Sequence, residues 1–332
     1  MNVTDAAWKN NAKDPDGVEK SPCVVGMGAP IYYCILLGVG LPVNILTAIA
    51  LSRLAARTHK SSYWYLLALT ASDILTQVFV VFAGFIVQAA ILSREVPSAF
   101  THTVNVLQFT ANHASIWVTV LLTVDRYVAL CHPLQYRSVS YPERTRKIIG
   151  AMFAVSVATG IPFYWWLDVW HDAYPPTTMD KVLKWLHCFI IYFFPCGVFL
   201  VTNSVIIFKL KHSGRPSRRL SKTTAILLAI TTIFIVLWAP RTFVIIYHLY
   251  KTSVNQDWRV HLALDVANMV AMLNTSLNFF LYCFVSKTFR CTIREVLVSY
   301  KLQCVQSPRK KNPLEATGES LKPLGLLNGT SL

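Results

Sequence analysis

The sequence predicts an all-α membrane protein: a bundle of seven transmembrane helices followed by an amphipathic eighth helix. Three observations predict it. Of the 332 residues, 54% are apolar and only 14% are charged, too apolar and too charge-poor for an ordinary soluble protein. The apolar residues also fall in blocks. Residues 29–52, 96–124, 148–167, 185–208 and 266–286 hold no Asp, Glu, Lys or Arg, while 61–93 hold only Asp73 and 223–250 only Arg241. Crossing a hydrocarbon core of about 30 Å takes about 20 helical residues, so each block is long enough. Finally, the positive charge is lopsided. With the amino terminus outside, 22 of the 31 Lys and Arg lie on the cytoplasmic side and 8 outside, with Arg241 inside a span. Short-loop Lys and Arg set membrane orientation, so the net charge of +15 marks topology and a cytoplasmic face for anionic lipid and an acidic partner. It is not a nucleic-acid footprint.

The chain divides accordingly. Residues 1–28 read as an extracellular amino terminus, polar and without the apolar core of a signal peptide, so the first span is expected to act as its own insertion signal. Residues 29–286 are the membrane domain, 287–300 the amphipathic helix, and 301–332 a disordered cytoplasmic tail with Pro and Gly and no helical period. Asn2-Val3-Thr4 fits a glycosylation sequon on the outer side. Asn328-Gly329-Thr330 fits one too, but lies on the inner side.

The spans carry polar residues that need reasons. The first holds Asn44 as a polar anchor, four residues after Gly40. The second holds Asp73. An Asp inside a span costs about 2.5–3.5 kcal/mol on insertion scales, so partners are expected, with Ser115, Asn274 and Asn278 the candidates. On the third, Asn105, Gln108, Asn112 and Ser115 recur at helical spacing on one face, with Phe109 beside them. That span ends Asp125-Arg126-Tyr127 and leads into a loop whose Leu134 is apolar among polar neighbours. The sixth holds Phe234, Trp238, the kinking Pro240 and Arg241. An Arg in a span faces a cavity or a partner, and its fork suits a carboxylate; an internal pair with Asp265 is the alternative. Asp265, Asn268 and Met272 share a face of the seventh, which closes Asn278-Phe279-Phe280-Leu281-Tyr282. Beyond it Phe289, Ile293, Val296 and Leu297 share one face, with Lys287, Arg290 and Arg294 elsewhere, as in a helix lying at a membrane interface. Cys291 or Cys304 there is open to palmitoylation, or unmodified.

Together these motifs resemble rhodopsin-like (class A) G-protein-coupled receptors. The resemblance rests on Gly40-Leu41-Pro42-Val43-Asn44, Leu66-Leu67-Ala68-Leu69-Thr70-Ala71-Ser72-Asp73, Asp125-Arg126-Tyr127, Trp238-Ala239-Pro240 and Tyr282 with Phe289 seven residues on. It implies that Asp73, Ser115, Asn274 and Asn278 surround a sodium ion, for which hard oxygen ligands are suited; a hydrated network without an ion is the alternative. It implies a packing triad of Pro195, Ile116 and Phe234 that couples ligand to opening, where ordinary core packing is the plainer reading. It also implies that Arg126 and Leu134 meet a G-protein α subunit. Departures matter as well. Phe279 stands for the family's proline, Asn203 for its usual Tyr, and the fourth span lacks its Trp. Leu220 stands where some members have an acid, so Arg126 lacks an obvious partner on the sixth span and a loosely locked inactive state is expected.

Members usually join the third span to the second outer loop by a disulfide. Here Thr101 occupies the position of the missing cysteine. With Cys188 assigned to that loop, a Cys23–Cys188 bond is expected, two free thiols being the alternative.

A closer resemblance lies in Lys60-Ser61-Ser62-Tyr63, Trp185-Leu186-His187-Cys188, Trp238-Ala239-Pro240-Arg241, Tyr247-His248-Leu249-Tyr250 and the Asn278–Tyr282 variant. These are similar to the small subfamily of receptors for the aromatic L-amino acids tryptophan and phenylalanine. The likeness implies coupling mainly to Gq-type proteins and a ligand site at Phe109, His187, Trp238, Arg241 and Asn268. Gln108, where the other member carries an acid, points to the tryptophan-preferring one. The expected pose puts the carboxylate on Arg241, the ring among Phe109 and Trp238, and the ammonium on Asn268 and Gln108, with Asn112 beside them. So small a ligand binds in roughly the micromolar to millimolar range.

Other classes fare worse. Amine receptors of the family carry an Asp where this chain has Gln108, and residues 258–285 hold no Lys for a Schiff base. A short-peptide ligand remains the alternative, its carboxylate on Arg241. Nothing suggests the inverted repeats of a transporter, so a transporter or channel is the distant third reading. No metalloprotease motif, Walker loop or nucleophile elbow is present, so no enzyme and no cofactor beyond sodium is expected. The expected location is the plasma membrane.

Overall fold

The computed structural model describes residues 28–58, 60–82, 98–164, 178–212, 222–250 and 258–306. Seven of its helices are long and apolar enough to cross a membrane, and no strand occurs among the described residues. In lipid, a spanning segment must satisfy its backbone internally, and a helix does so within one segment.

Several spans run past one or both ends of the charge-free windows. The first is Gly28–Thr58, the third Ser98–Cys131, the sixth Lys222–Tyr250 and the seventh Trp258–Val285. The second runs Ser61–Phe82, the fourth Pro142–Tyr164. A short helix, Pro133–Val139, lies between the third and fourth, with Pro133 in its first turn, where a missing N–H is harmless. The fifth begins at Thr178, widens to π geometry over Phe189–Phe193 and continues as Phe194–His212. That widening ends two residues before Pro195, whose ring crowds the carbonyl of the previous turn.

This corrects one assignment. His187 and Cys188 lie in the fifth span and not in a loop. Lys181 and Lys184, which ended the charge-free window, sit on the helix's outer turns instead of bounding it. Cys188 is a buried free thiol in that helix; Cys23, its expected partner, lies outside the described residues, as does Asn2.

Among the described residues, those up to Ile293 belong to one compact unit and those from Arg294 to a second. Within the first, buried side chains pack in three groups. At the Arg126 end, Leu51, Leu69, Leu122, Leu227 and Tyr282 meet. Midway, Ile116, Phe199, Phe234 and Trp238 meet. At the opposite end, Tyr33, Leu36, Val81 and Met272 do. Outward-facing side chains are apolar too: Ile31, Ile35 and Val39 are exposed at four-residue spacing, one helix face turned to lipid. Two glycines permit close approach. A Cβ on Gly40 would run into Gln77 Nε2 and Ser276 Oγ, and one on Gly160 into Thr110 Oγ1. Small residues of this kind let spanning helices come together.

The last helix, Lys287–Gln306, starts in the first unit. Ser286 caps it by accepting from Phe289 N at 3.2 Å. Arg290 donates to the Cys283 and Phe284 carbonyls at 2.6 and 3.2 Å, satisfying the end of the seventh span. The expected boundary at 300 is thus six residues short. Residues 301–306 contain neither Gly nor Pro, and Pro308 biases only its predecessor away from helix. Residues 307–332 lie outside the described residues.

Candidate functional site

Three polar centres lie along the bundle. The first holds Arg241, one residue past Pro240 on the sixth span. It is 6% exposed, and its Nε donates to Asn268 Oδ1 on the seventh at 2.9 Å. Its guanidinium lies over the Trp238 ring, 5.3 Å from the centroid, a cation–π contact that helps hold a desolvated charge. Asn268 therefore orients the guanidinium, while the second lone pair of its oxygen can still accept.

Phe109 and His187 meet, with ring centroids 5.2 Å apart and planes at 80°. Phe109 also stacks on Phe163 of the fourth span at 3.8 Å and 12°. His113, one turn further along the third span, joins them: its ring lies 6.0 Å from Phe163 and 6.2 Å from His187. The outer part of the fifth span, with His187, packs against the sixth, with Arg241, which links the two groups. Asn112 is buried and Gln108 half-buried on the adjacent helix face.

The second centre surrounds Asp73, which is fully buried. Ser115 Oγ donates to its Oδ1 at 3.2 Å and Asn278 Nδ2 to its Oδ2 at 2.7 Å. Two of the three expected partners are thus in place; Asn274 is buried as well. Because Asn278 donates through nitrogen, its oxygen stays available. Carboxylate, hydroxyl and amide oxygens form a hard donor set that fits a small cation. A neighbouring network, missed from sequence, ties spans 1, 2 and 7. Asn44 Nδ2 donates to Thr275 O at 2.8 Å and to Gln77 Oε1 at 3.1 Å, and Gln77 Nε2 donates to Ser276 Oγ at 2.9 Å.

The third centre is Asp125-Arg126-Tyr127. Arg126 pairs with Asp125, and its Nη2 donates to the hydroxyl of Tyr136 at 2.8 Å. Tyr136 belongs to the short helix between spans three and four. On that helix Leu134 is 83% exposed.

The comparisons with known proteins agree with this layout. The family described as "7 transmembrane receptor (rhodopsin family)" matches residues 43–282. The chain belongs to this family. The receptor is 59% identical over 299 residues to mouse "Probable G-protein coupled receptor 142", covering 90% of this chain and 80% of that one. It is 28% identical to rat somatostatin receptor type 4 over 88% of this chain and 79% of that one. Against human C-C chemokine receptor type 1, identity is 25% over 80% and 78%. The receptor is thus not an enzyme, and its family implies a ligand and a heterotrimeric G protein.

Within the receptor, Ile116 and Phe234 pack in one cluster with Phe199 and Trp238, and Pro195 is buried on the fifth span. Phe234 stacks on Trp238 at 5.6 Å and meets Phe199 edge-on at 5.6 Å. Asn203, in place of the usual tyrosine, donates to Thr231 of the sixth span at 2.8 Å. Tyr282 and Phe279 both pack on Phe289, at 5.5 and 6.2 Å, so the phenylalanine that replaces the family's proline fills the joint with the last helix. Sequence reasoning missed His113, Phe163 and Tyr136. A histidine inside a span is itself a flag, and His113 follows Phe109 by four residues; nothing marked the other two.

Proposed function

We propose that the receptor is activated by an extracellular aromatic L-amino acid, tryptophan or phenylalanine, and signals mainly through Gq-type G proteins to phospholipase C and calcium. The observation that carries this reading is Arg241: a buried guanidinium, steered by Asn268 and backed by Trp238, beside a cluster of aromatic rings. A carboxylate is the natural mate of such a fork, and Phe109, Phe163 and His187 offer aromatic faces to a ring. Gln108 and Asn112 line the same stretch of the third span. Binding shifts the bundle toward the state that admits the G protein, through differential affinity for that state. Asp73, Ser115, Asn274 and Asn278 hold a sodium ion in the resting state. Leu134 and Arg126 receive the G protein. The receptor sits in the plasma membrane with its amino terminus outside.

A short peptide is the second reading. Relatives at 28% and 25% identity are named for somatostatin and chemokines, and a peptide carboxylate would use the same Arg241. A panel of amino acids and short peptides, read by inositol phosphate in receptor-expressing against mock cells, tests both. A response to tryptophan or phenylalanine alone supports the first reading; a response to peptides alone replaces it.

A further inference from the structure

Two buried histidines exceed the needs of aromatic packing. His113 and His187 are each 3% exposed. Both ring nitrogens of His187 and Nε2 of His113 are buried with no hydrogen-bond partner. Leaving a buried polar atom unpaired is costly, so three in one cluster call for a reason.

The surroundings of His113 fix which nitrogen is which. Its Nδ1 lies 3.0 Å from Thr159 Oγ1 on the fourth span. Thr159 Oγ1 in turn lies 3.0 Å from Val155 O and 3.1 Å from Ser156 O, placed to donate to them. A hydroxyl has one hydrogen, and a helical threonine commonly gives it to the carbonyl of the preceding turn. Thr159 then accepts from Nδ1–H of His113. With its proton on Nδ1, a neutral imidazole has its lone pair on Nε2. That lone pair lies inside the cluster and lacks a donor. His187, 6.2 Å away between ring centroids, adds one further donor and one acceptor.

We propose that Nε2 of His113, together with His187, accepts a hydrogen bond from the amino group of the ligand, and so selects molecules that carry an N–H donor beside their carboxylate. This deepens the amino-acid reading above and rests on it. Arg241 by itself accepts any carboxylate. Asn268 Oδ1 already accepts from Arg241 and stands beside that positive charge, which makes it a poorer partner for an ammonium than a neutral imidazole nitrogen. The outer part of the fifth span, which carries His187, packs on the sixth, which carries Arg241, so a zwitterion can place its carboxylate on one side and its amine on the other.

The test is a two-by-two comparison in nanodisc-reconstituted full-length receptor. L-Tryptophan and 3-(indol-3-yl)propionic acid, which lacks the amino group, are titrated into wild type and His113→Phe by calorimetry. Wild type should prefer tryptophan by at least about tenfold, which corresponds to about 1.4 kcal/mol. His113→Phe should bring the two ligands to within about twofold, chiefly by weakening tryptophan. His113→Gln, which returns an acceptor near the Nε2 position, should restore a preference, and it carries the test if the Phe variant does not fold. Equal loss for both ligands in His113→Phe, or an unchanged preference, overturns the proposal. Wild type that binds both ligands alike sinks it too, while leaving the amino-acid reading standing. Wild type that binds neither removes the amino-acid reading and the proposal with it.

Discussion

Arg126 donates its hydrogen bond to the Tyr136 hydroxyl at 2.8 Å, so the arginine of the third span is tethered to the inner-loop helix. No partner on the sixth span was expected, since Leu220 stands where other members have an acid. The loosely locked state that this suggested has a substitute: Asp125 and Tyr136 together hold the guanidinium, and its Cζ lies 5.7 Å from the Tyr136 ring centroid. A hydrogen bond to a charged group contributes about 1.5–3 kcal/mol. If the G protein takes the arginine, that bond is lost on activation and favours the resting state. Tyr136→Phe keeps the ring and deletes the hydroxyl. Basal inositol phosphate should rise a few-fold at matched surface expression; an unchanged basal level would show that the tether does not restrain the receptor.

Arg241→Ala should abolish the response to aromatic amino acids while surface expression persists. A carboxylate in a water-poor site loses its charge-assisted partner, a loss of a few kcal/mol, roughly 2–5 by comparison with other buried charge pairs. Arg241→Lys should recover only part, since a lysine lacks the planar fork that Asn268 orients. Dose–response curves for both variants decide it, and an unchanged midpoint for Arg241→Ala would remove the carboxylate assignment.

The seven spans were legible because lipid enforces a simple rule: about 20 residues without charge. Their ends were not. Lys181 and Lys184 looked like a boundary but lie on the helix Thr178–Cys188, Lys181 exposed on its surface and Lys184 buried against its neighbours. His187 and Cys188 fall inside the charge-free block 185–208, and it was the family's usual loop disulfide that assigned them to a loop. The polar partners of Asp73 were legible from residue type, because an acid in a span demands them. Tyr136 was not, because the direction of a loop tyrosine depends on the helix it happens to join. His113 stood in plain view, but its meaning came from Thr159 on another span, a relation that no single-helix period reveals.

Asp73→Asn should remove any sodium sensitivity of agonist affinity. The variant keeps shape and can still bond Ser115 and Asn278, so the fold should hold, while the charge that attracts a cation is gone. Agonist competition in sodium against choline or potassium measures it. An unaltered salt response in the variant would leave Asp73 as a hydrogen-bonded network without an ion.

Gly40→Ala should destabilise the bundle, for the new Cβ collides with Gln77 and Ser276 in the network joining spans 1, 2 and 7. Overpacking of this sort costs about 1–3 kcal/mol. Gly38→Ala is the control, because nothing lies within 4 Å of a Cβ there. Thermal denaturation in detergent should show a lower midpoint for the first and none for the second; equal midpoints would mean that Gln77 and Ser276 yield without cost.

Leu134 should be a G-protein contact. It is 83% exposed on the inner-loop helix, two residues before Tyr136, which holds Arg126 on the same helix. A lone exposed leucine at a membrane-facing surface has two plain fates: a pocket in a partner, or lipid. The partner is favoured by its neighbour, because whatever draws Arg126 from Tyr136 must approach this helix. Leu134→Ala should then lower Gq signalling at fixed expression and leave agonist binding, measured without G protein, almost unchanged. Leu134→Asp sharpens the contrast. A buried carboxylate in an apolar partner pocket is unpaired and strongly unfavourable, whereas an aspartate facing the interface is tolerated. Full signalling from Leu134→Asp at normal surface levels would assign this side chain to lipid or to the loop.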